Sequence, residues 1–306
     1  MSLSSRFQNF LQRYRMFRAG QSTFREYIYF CADRLFVRNF MLYPRARARR
    51  MSDKCVVPIV RGADAYHIRD VKLPLLDPAN ERLLNAMAWE DTFWSYVLCD
   101  DQYDEETFDR CDKIIGEGLY GLVNDKVNVT VESGDIVIDA GSWIGDFAAY
   151  ASVKGATTYA FEPVDDMYKY VVKTSELNKN IIPVKKGLSD KSTVMEMFTS
   201  GNSTATFLSE RKQGTSTAQV ETITIDDFVR ENHLPRVDFI KADIEGFERH
   251  MLAGAHDTLA RFAPKLALCT YHLPDDPQVM ADLILKANPK YNIVQKRKKL
   301  FASVPD

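Results

Sequence analysis

Val137-Ile138-Asp139-Ala140-Gly141-Ser142-Trp143-Ile144-Gly145-Asp146 is the stretch whose reading decides the fold. An apolar run ends in an aspartate, turns at a glycine and enters a segment of helical texture. Gly141 can take the positive φ of a tight strand-to-helix turn and lets a ligand approach the backbone. The helix that follows begins with unpaired N–H groups, which suit an anionic group. In open α/β sheets the carboxyl ends of such strands form the ligand crevice.

Working outward, TTYAFEP (157–163) reads as the next strand and places Glu162 at its end, 21 positions after Gly141. A carboxylate there can accept hydrogen bonds from both ribose hydroxyls of an adenosine-containing ligand. The spacing departs from the dinucleotide pattern G-x-G-x-x-G, because Ser142 and the bulky Trp143 stand where a second glycine would admit a pyrophosphate. A ligand with adenosine and ribose but no phosphate is expected, and S-adenosylmethionine fits. A glycine after a strand is by itself only a turn. Turn, helix and correctly spaced acid together carry the reading.

The same texture continues to the end of the chain. The expected strands are 135–140, 157–163, 181–187, 237–243 and 265–271, with an antiparallel pair at 194–198 and 219–225 and two closing strands near 291–296 and 299–304. Helices fit 145–153, 164–178, 246–261 and 276–287. This alternation predicts an α/β domain over 116–306, with a mainly parallel sheet covered on both faces. Residues 1–115 read instead as mostly helical. Apolar stripes run through the first 40 residues, 80–99 and 105–115, while 56–78 reads as loop with short extended pieces. The N-terminal helices are placed to cap the site or to join two copies as a homo-oligomer.

Bulk composition excludes several classes. Of 306 residues, 45% are hydrophobic and 27% charged, as in an ordinary globular protein, and the net charge of −2 gives no basic excess for nucleic acid. Five cysteines without a C-x-x-C pair argue against a disulfide framework or zinc knuckle. No membrane span and no signal-peptide core is visible, so a cytoplasmic location is expected. The basic clusters at 43–50 and 296–299 read as solvated surface, the other reading being contact with an anionic acceptor, such as a phosphorylated sugar, or with an acidic membrane surface.

The acceptor side is expected where two strands end together. Asp243 closes VDFIKAD, Glu245 follows two residues later, and His272 follows KLALCTY. A histidine or carboxylate there can engage a hydroxyl proton. The competing structural roles are helix capping for Asp243 and Glu245 and a satisfied edge histidine for His272. The three could also offer ligands to Mg²⁺, but their spacing is no metal motif. A divalent ion is not expected as a fixed component and no metal ligand is assigned.

Seven segments carry a family resemblance: EGLYGLV (117–123), GDIVIDAGSWIGDFAAYAS (134–152), AFEPV (160–164), GLSDKS (187–192), VETITIDDF (220–228), DFIKADIEGFERHMLAGA (238–255) and LALCTYHLPDDP (266–277). In order and spacing the chain from 118 to 304 resembles the FkbM-type methyltransferases. The resemblance implies a class I methyltransferase fold with a seven-stranded sheet, S-adenosylmethionine as methyl donor, and a hydroxyl of a sugar, glycan or secondary metabolite as acceptor. It implies that Asp139, Gly141 and Gly145 line the methionine end of the cofactor, that Glu162, followed by Pro163, holds the ribose, and that Leu188 and Ser189 lie near the adenine. Tyr120 and Asp243 are implied beside the cofactor. Ser142 and Trp143 stand where many relatives carry Ala-Asn. Two other readings stay open: a nicotinamide-dependent oxidoreductase, disfavoured by the missing glycine, and a non-catalytic cofactor-binding scaffold.

Overall fold

The computed structural model describes residues 59–77, 103–109, 120–199, 206–208 and 215–305. The helical stripes expected within 1–40 and 80–99, and the arginine-rich segment 43–50, lie outside the described residues. So do residues 110–115 of the helix expected at 105–115, of which 105–109 are helical.

Strands β1 (Ile59–Arg61), β2 (Ala65–Ile68) and β3 (Val71–Pro74) form an antiparallel meander, and β4 (Leu122–Val123) pairs with β5 (Asn128–Val129). Then follow β6 (Ile136–Ala140), α1 (Asp146–Val153), β7 (Thr157–Phe161), α2 (Asp165–Leu177), β8 (Ile181–Val184), β9 (Gly187–Leu188), β10 (Thr193–Thr199), β11 (Thr206–Leu208) and β12 (Thr215–Ile223). The chain continues through α3 (Ile225–Glu231), β13 (Phe239–Ala242), α4 (Glu248–Ala253), α5 (His256–Phe262), β14 (Lys265–Cys269), α6 (Asp276–Ala287), β15 (Asn292–Lys296) and β16 (Lys299–Ser303).

The main sheet has seven strands in the order β15-β16-β14-β13-β6-β7-β8. β14, β13, β6, β7 and β8 run parallel, and β16 enters antiparallel beside β14. This is the class I methyltransferase order. The chain winds from β6 outward to β8, then crosses back to lay β13 on the other side of β6. That reversal creates a crevice at the carboxyl ends of β6 and β13. A second sheet, β11-β10-β12-β9, includes the antiparallel pair expected from the sequence.

Residues alternate across the main sheet as the pleat requires. Val137, Phe239, Ala267 and Phe301 face one cluster with Phe147, Ala148 and Val171 of α1 and α2. Ile138, Ile240, Leu268 and Leu300 face the other with Phe228, Met251, Leu259, Met280 and Ile284. Each such large apolar side chain contributes about 1.5–3 kcal/mol on burial. Exposed ion pairs such as Lys169–Asp166 are screened by solvent and contribute little, so apolar packing holds the layers. The first cluster also takes in Ile68, Val71, Leu73 and Phe108. Segments N-terminal to 116 thus share the core of the sheet.

Candidate active site

On the donor side, β6 leaves the sheet through Gly141 at φ +73°, where a Cβ would lie 2.0 Å from the carbonyl oxygen of Asp243. Only glycine lets the two strand exits pass so closely. The amides of Gly141 and Ser142 both donate to the Phe161 carbonyl, at 3.1 and 2.9 Å, which pins the turn to the end of β7. Ser142 closes it by donating its hydroxyl to Asp139 O at 2.9 Å. Trp143 adopts φ +52°, and its amide donates to Glu162 Oε2 at 3.0 Å. The Val164 amide donates to Oε1 at 2.9 Å. Burial pushes the Glu162 carboxyl up to about 7 against these two bonds. Gly145, at φ +83°, caps α1, and Pro163 is half-buried beside Glu162.

Asp139 is fully buried, and neither carboxylate oxygen makes a hydrogen bond. Its ionic partner is Lys241, directly across the β6–β13 ladder, with Nζ 3.1 Å from Oδ1. Lys241 also donates to Gly141 O at 2.7 Å. Burial opposes its charge, but Asp139, Asp243 and Asp146 outweigh that and hold the ammonium protonated. Leu188 packs in the core on β9, and the amide of the buried Ser189 donates to Ile223 O at 3.1 Å.

Where the acceptor side is expected, Asp243 stands just past β13. Tyr120 OH donates to Oδ2 at 2.9 Å, and Tyr271 OH to Oδ1 at 3.1 Å. The Tyr120 ring is set by an edge contact with Phe147, with centroids 5.6 Å apart. Burial would raise the Asp243 pKa, but Lys241, His272 and Lys299 outweigh it, and the net shift is downward. Asp243 therefore stays ionised. It does not cap the following helix, as one sequence reading allowed: α4 begins at Glu248, and the Asp243 oxygens are taken by tyrosines. Glu248 takes the local bonding role, accepting the amides of Ile244 at 2.8 Å and Gly246 at 3.0 Å.

His272 follows β14 with its side chain 9% exposed, among three carboxylates. Nε2 lies 3.4 Å from Glu245 Oε2 and 3.7 Å from Asp243 Oδ1, and Nδ1 lies 3.2 Å from Glu248 Oε1. Burial opposes a charge on the ring, but Glu245, Glu248 and Asp243 prevail and push its pKa up to about 10. Glu245 reaches the ring from a left-handed backbone, φ +57°.

The structure thus brings together Tyr120, Asp243, Glu245 and His272, and beside them Asp139, Gly141, Ser142, Trp143 and Glu162. Sequence reasoning passed over Lys241, Glu248 and Lys299. Lys241 had a visible signal, a lone charge inside an apolar strand. Lys299 corrects the reading of 296–299 as wholly exposed: it is 1% exposed, with Nζ 3.8 Å from the Tyr120 ring centroid. β16 carries it just ahead of the buried Leu300 and Phe301.

The family described as methyltransferase FkbM domain matches residues 139–291, half of the chain. The hexuronic acid methyltransferase AglP of Haloferax volcanii is 28% identical over 157 residues, covering 51% of this chain and 64% of that protein. The chain therefore spans less than two thirds of that relative's length. Among solved structures, a methyltransferase FkbM of Methylobacillus flagellatus is 21% identical with TM-score 0.43, over 56% of this chain and 43% of that one. The fibrillarin of Aeropyrum pernix with bound S-adenosyl-L-methionine is 13% identical with TM-score 0.37, over 58% and 70%. On the family match, which runs from within β6 to just past α6, the chain belongs to the FkbM methyltransferase family.

Proposed function

We propose that the protein is an S-adenosylmethionine-dependent O-methyltransferase acting on a sugar or glycan. The observation that carries this reading is the meeting of two half-sites at the β6–β13 switch point. Asp139 and Glu162 form one half, and Asp243 and His272 the other. The buried Asp139 oxygens, free of hydrogen bonds, fit the ammonium of the methionine end. Glu162 is fixed by two backbone amides and keeps further lone pairs for the ribose hydroxyls. Leu188 and Ser189 supply the adenine side. Trp143 stands where a dinucleotide's pyrophosphate would need a small residue, which disfavours the nicotinamide alternative.

When bound, S-adenosylmethionine supplies a methyl group already activated on a sulfonium. The protein's remaining tasks are alignment of the acceptor oxygen and management of its proton. Asp243 is the ionised carboxylate of the acceptor half and takes the hydroxyl proton. Tyr120 and Tyr271 fix its oxygens, and His272 with Glu245 fixes its far side.

The acceptor reading extends to an acidic sugar. The β15–β16 turn places Lys298 Nζ 5.1 Å from the Tyr271 ring centroid, and its carbonyl accepts the Thr270 amide at 2.8 Å. Arg297 and Lys298 therefore belong to the rim that carries His272, and a hexuronic acid is the substrate class in the name of the Haloferax relative.

The test has two parts. Calorimetry with S-adenosylmethionine and, separately, NADH should give binding of the first only, weakened by about 1.5–3 kcal/mol in Glu162→Ala. Incubation with methyl-labelled cofactor and uronic acid glycosides should then move label to sugar. Alkali-stable label marks a hydroxyl acceptor, and alkali-labile label marks a carboxylate acceptor. Preferential NADH binding sinks the methyltransferase reading. Cofactor binding with no transfer to any sugar leaves the scaffold.

A further inference from the structure

We propose that Lys299 is a positioning residue of the acceptor half: its buried ammonium lies on the Tyr120 ring, holds the phenol on Asp243 and balances that carboxylate's charge. The proposal rests on the reading of this crevice as the methyl-transfer site and explains why a lysine is buried behind it. A charged side chain taken out of water is costly unless it is engaged, and Lys299 is almost wholly buried. β16 sets its register. Lys299 lies opposite Cys269 of β14. By the alternation of the strand it shares a face of the sheet with Phe301, while Leu300 turns to the other face.

On that face Nζ stands 3.8 Å from the Tyr120 ring centroid, well inside the reach of about 6 Å for a cation over an aromatic ring. Lys241 Nζ lies 5.2 Å from the same centroid, and Phe147 meets the same ring edge to face. The phenol is thus held on several sides. Its hydroxyl reaches Asp243 Oδ2 at 2.9 Å and Cys269 Sγ at 3.5 Å. Burial keeps the Cys269 thiol protonated, so the charged partner of the hydroxyl is Asp243. A cation on the ring face draws on the π electrons and makes the phenol a stronger donor toward that carboxylate.

Charge explains why a neutral side chain would not serve. Burial, and the like charges of Glu245 and Glu248 around His272, favour a proton on Asp243. Lys241 is paired with Asp139, and His272 is shared with Glu245 and Glu248. Tyr120 and Tyr271 donate to Asp243 and bring no charge. Lys299 adds a further positive charge that acts on Asp243. An Asp243 that bound a proton in advance could not take one from the acceptor, so the lysine keeps the base ready.

The test follows the ionisation of Asp243 in the full-length protein by carbon-13 NMR, with aspartate labelled at the side-chain carboxyl and the resonance assigned by its loss in Asp243→Asn. In the wild type it should stay that of a carboxylate through the acid range in which the protein is folded. In Lys299→Met, which keeps the buried stem and drops the charge, Asp243 should bind a proton about 10–100-fold more tightly. Thermal melts check folding, and Lys299→Gln carries the same measurement should the methionine variant unfold. The effects of Lys299→Met and Tyr120→Phe should be non-additive; additive effects would overturn the route through Tyr120. Methyl transfer to uronic acid glycosides at saturating cofactor should lose its acid limb at correspondingly higher pH in Lys299→Met, with KM for the cofactor unchanged. An Asp243 titration indifferent to the loss of Lys299, or an acid limb that does not move with it, overturns the role. A wild type that methylates no sugar removes the methyltransferase reading, and the titration still decides whether Lys299 governs Asp243.

Discussion

Gly141 and Glu162 are the residues where local physics is most exposed to test. A methyl group at Gly141 would meet the Asp243 carbonyl at 2.0 Å, and φ is +73°. We expect Gly141→Ala to lose about 2–4 kcal/mol in urea unfolding. Gly145→Ala should lose less, since its nearest neighbour is the Thr174 methyl at 3.0 Å. Glu162 sets a pH dependence. Its folded pKa of about 7 lies above the ordinary 4.5, so the folded protein holds this proton the more tightly. Stability from this group is full below the ordinary value and is lost as pH rises through about 7, by up to about 3 kcal/mol. Cofactor affinity should move the other way and fall as pH drops below about 7, because a protonated carboxyl offers the ribose fewer acceptors. Calorimetry at pH 6 and 8 on the wild type and Glu162→Gln checks this; an equal pH dependence in both would remove Glu162 from the role.

At the scale of elements, the paired strands β6 and β13 bring Asp139 and Lys241 face to face. Lys241→Ala leaves a carboxylate buried without its counter-charge and should cost about 3–5 kcal/mol, measured by chemical denaturation. A double variant replacing Asp139 by Asn as well should recover part of it. The β15–β16 turn belongs to a different category. Replacing both Arg297 and Lys298 by Glu should raise KM for a uronic acid acceptor, with little change in cofactor affinity; an unchanged KM would remove the turn from acceptor recognition.

The same pair of elements explains what the sequence made legible. The donor half is written locally: strand, Gly141, helix, then Glu162 one strand later. Each step lies within a βαβ unit, so spacing alone locates it. The acceptor half depends on strand order. Lys241 finds Asp139, and His272 finds Asp243, only because β13 lies between β6 and β14. Nothing in the spacing of Glu245 and Glu248 tells which carboxylate turns back to the local amides and which faces the ring.

For the whole molecule, the sheet core reaches into the N-terminal part of the chain. Leu73 and Phe108 are buried with Phe147 and Val171. Asn178 bonds both ways with the backbone of Lys72, and Tyr170 donates to Asp77 Oδ2 at 2.6 Å. A fragment comprising 116–306 should therefore melt at lower temperature and less cooperatively than the full chain in a calorimetric scan. An unchanged transition would show that the sheet domain stands alone.

The contact of Gly141 with the Asp243 carbonyl has one more consequence. It joins the two half-sites main chain to main chain, with no side chain between them. On the proposed reading, the gap that a methyl group would cross is thus gauged by main chain and not by side chains. Exchanging a rim side chain such as Lys298 would leave this internal ruler its length.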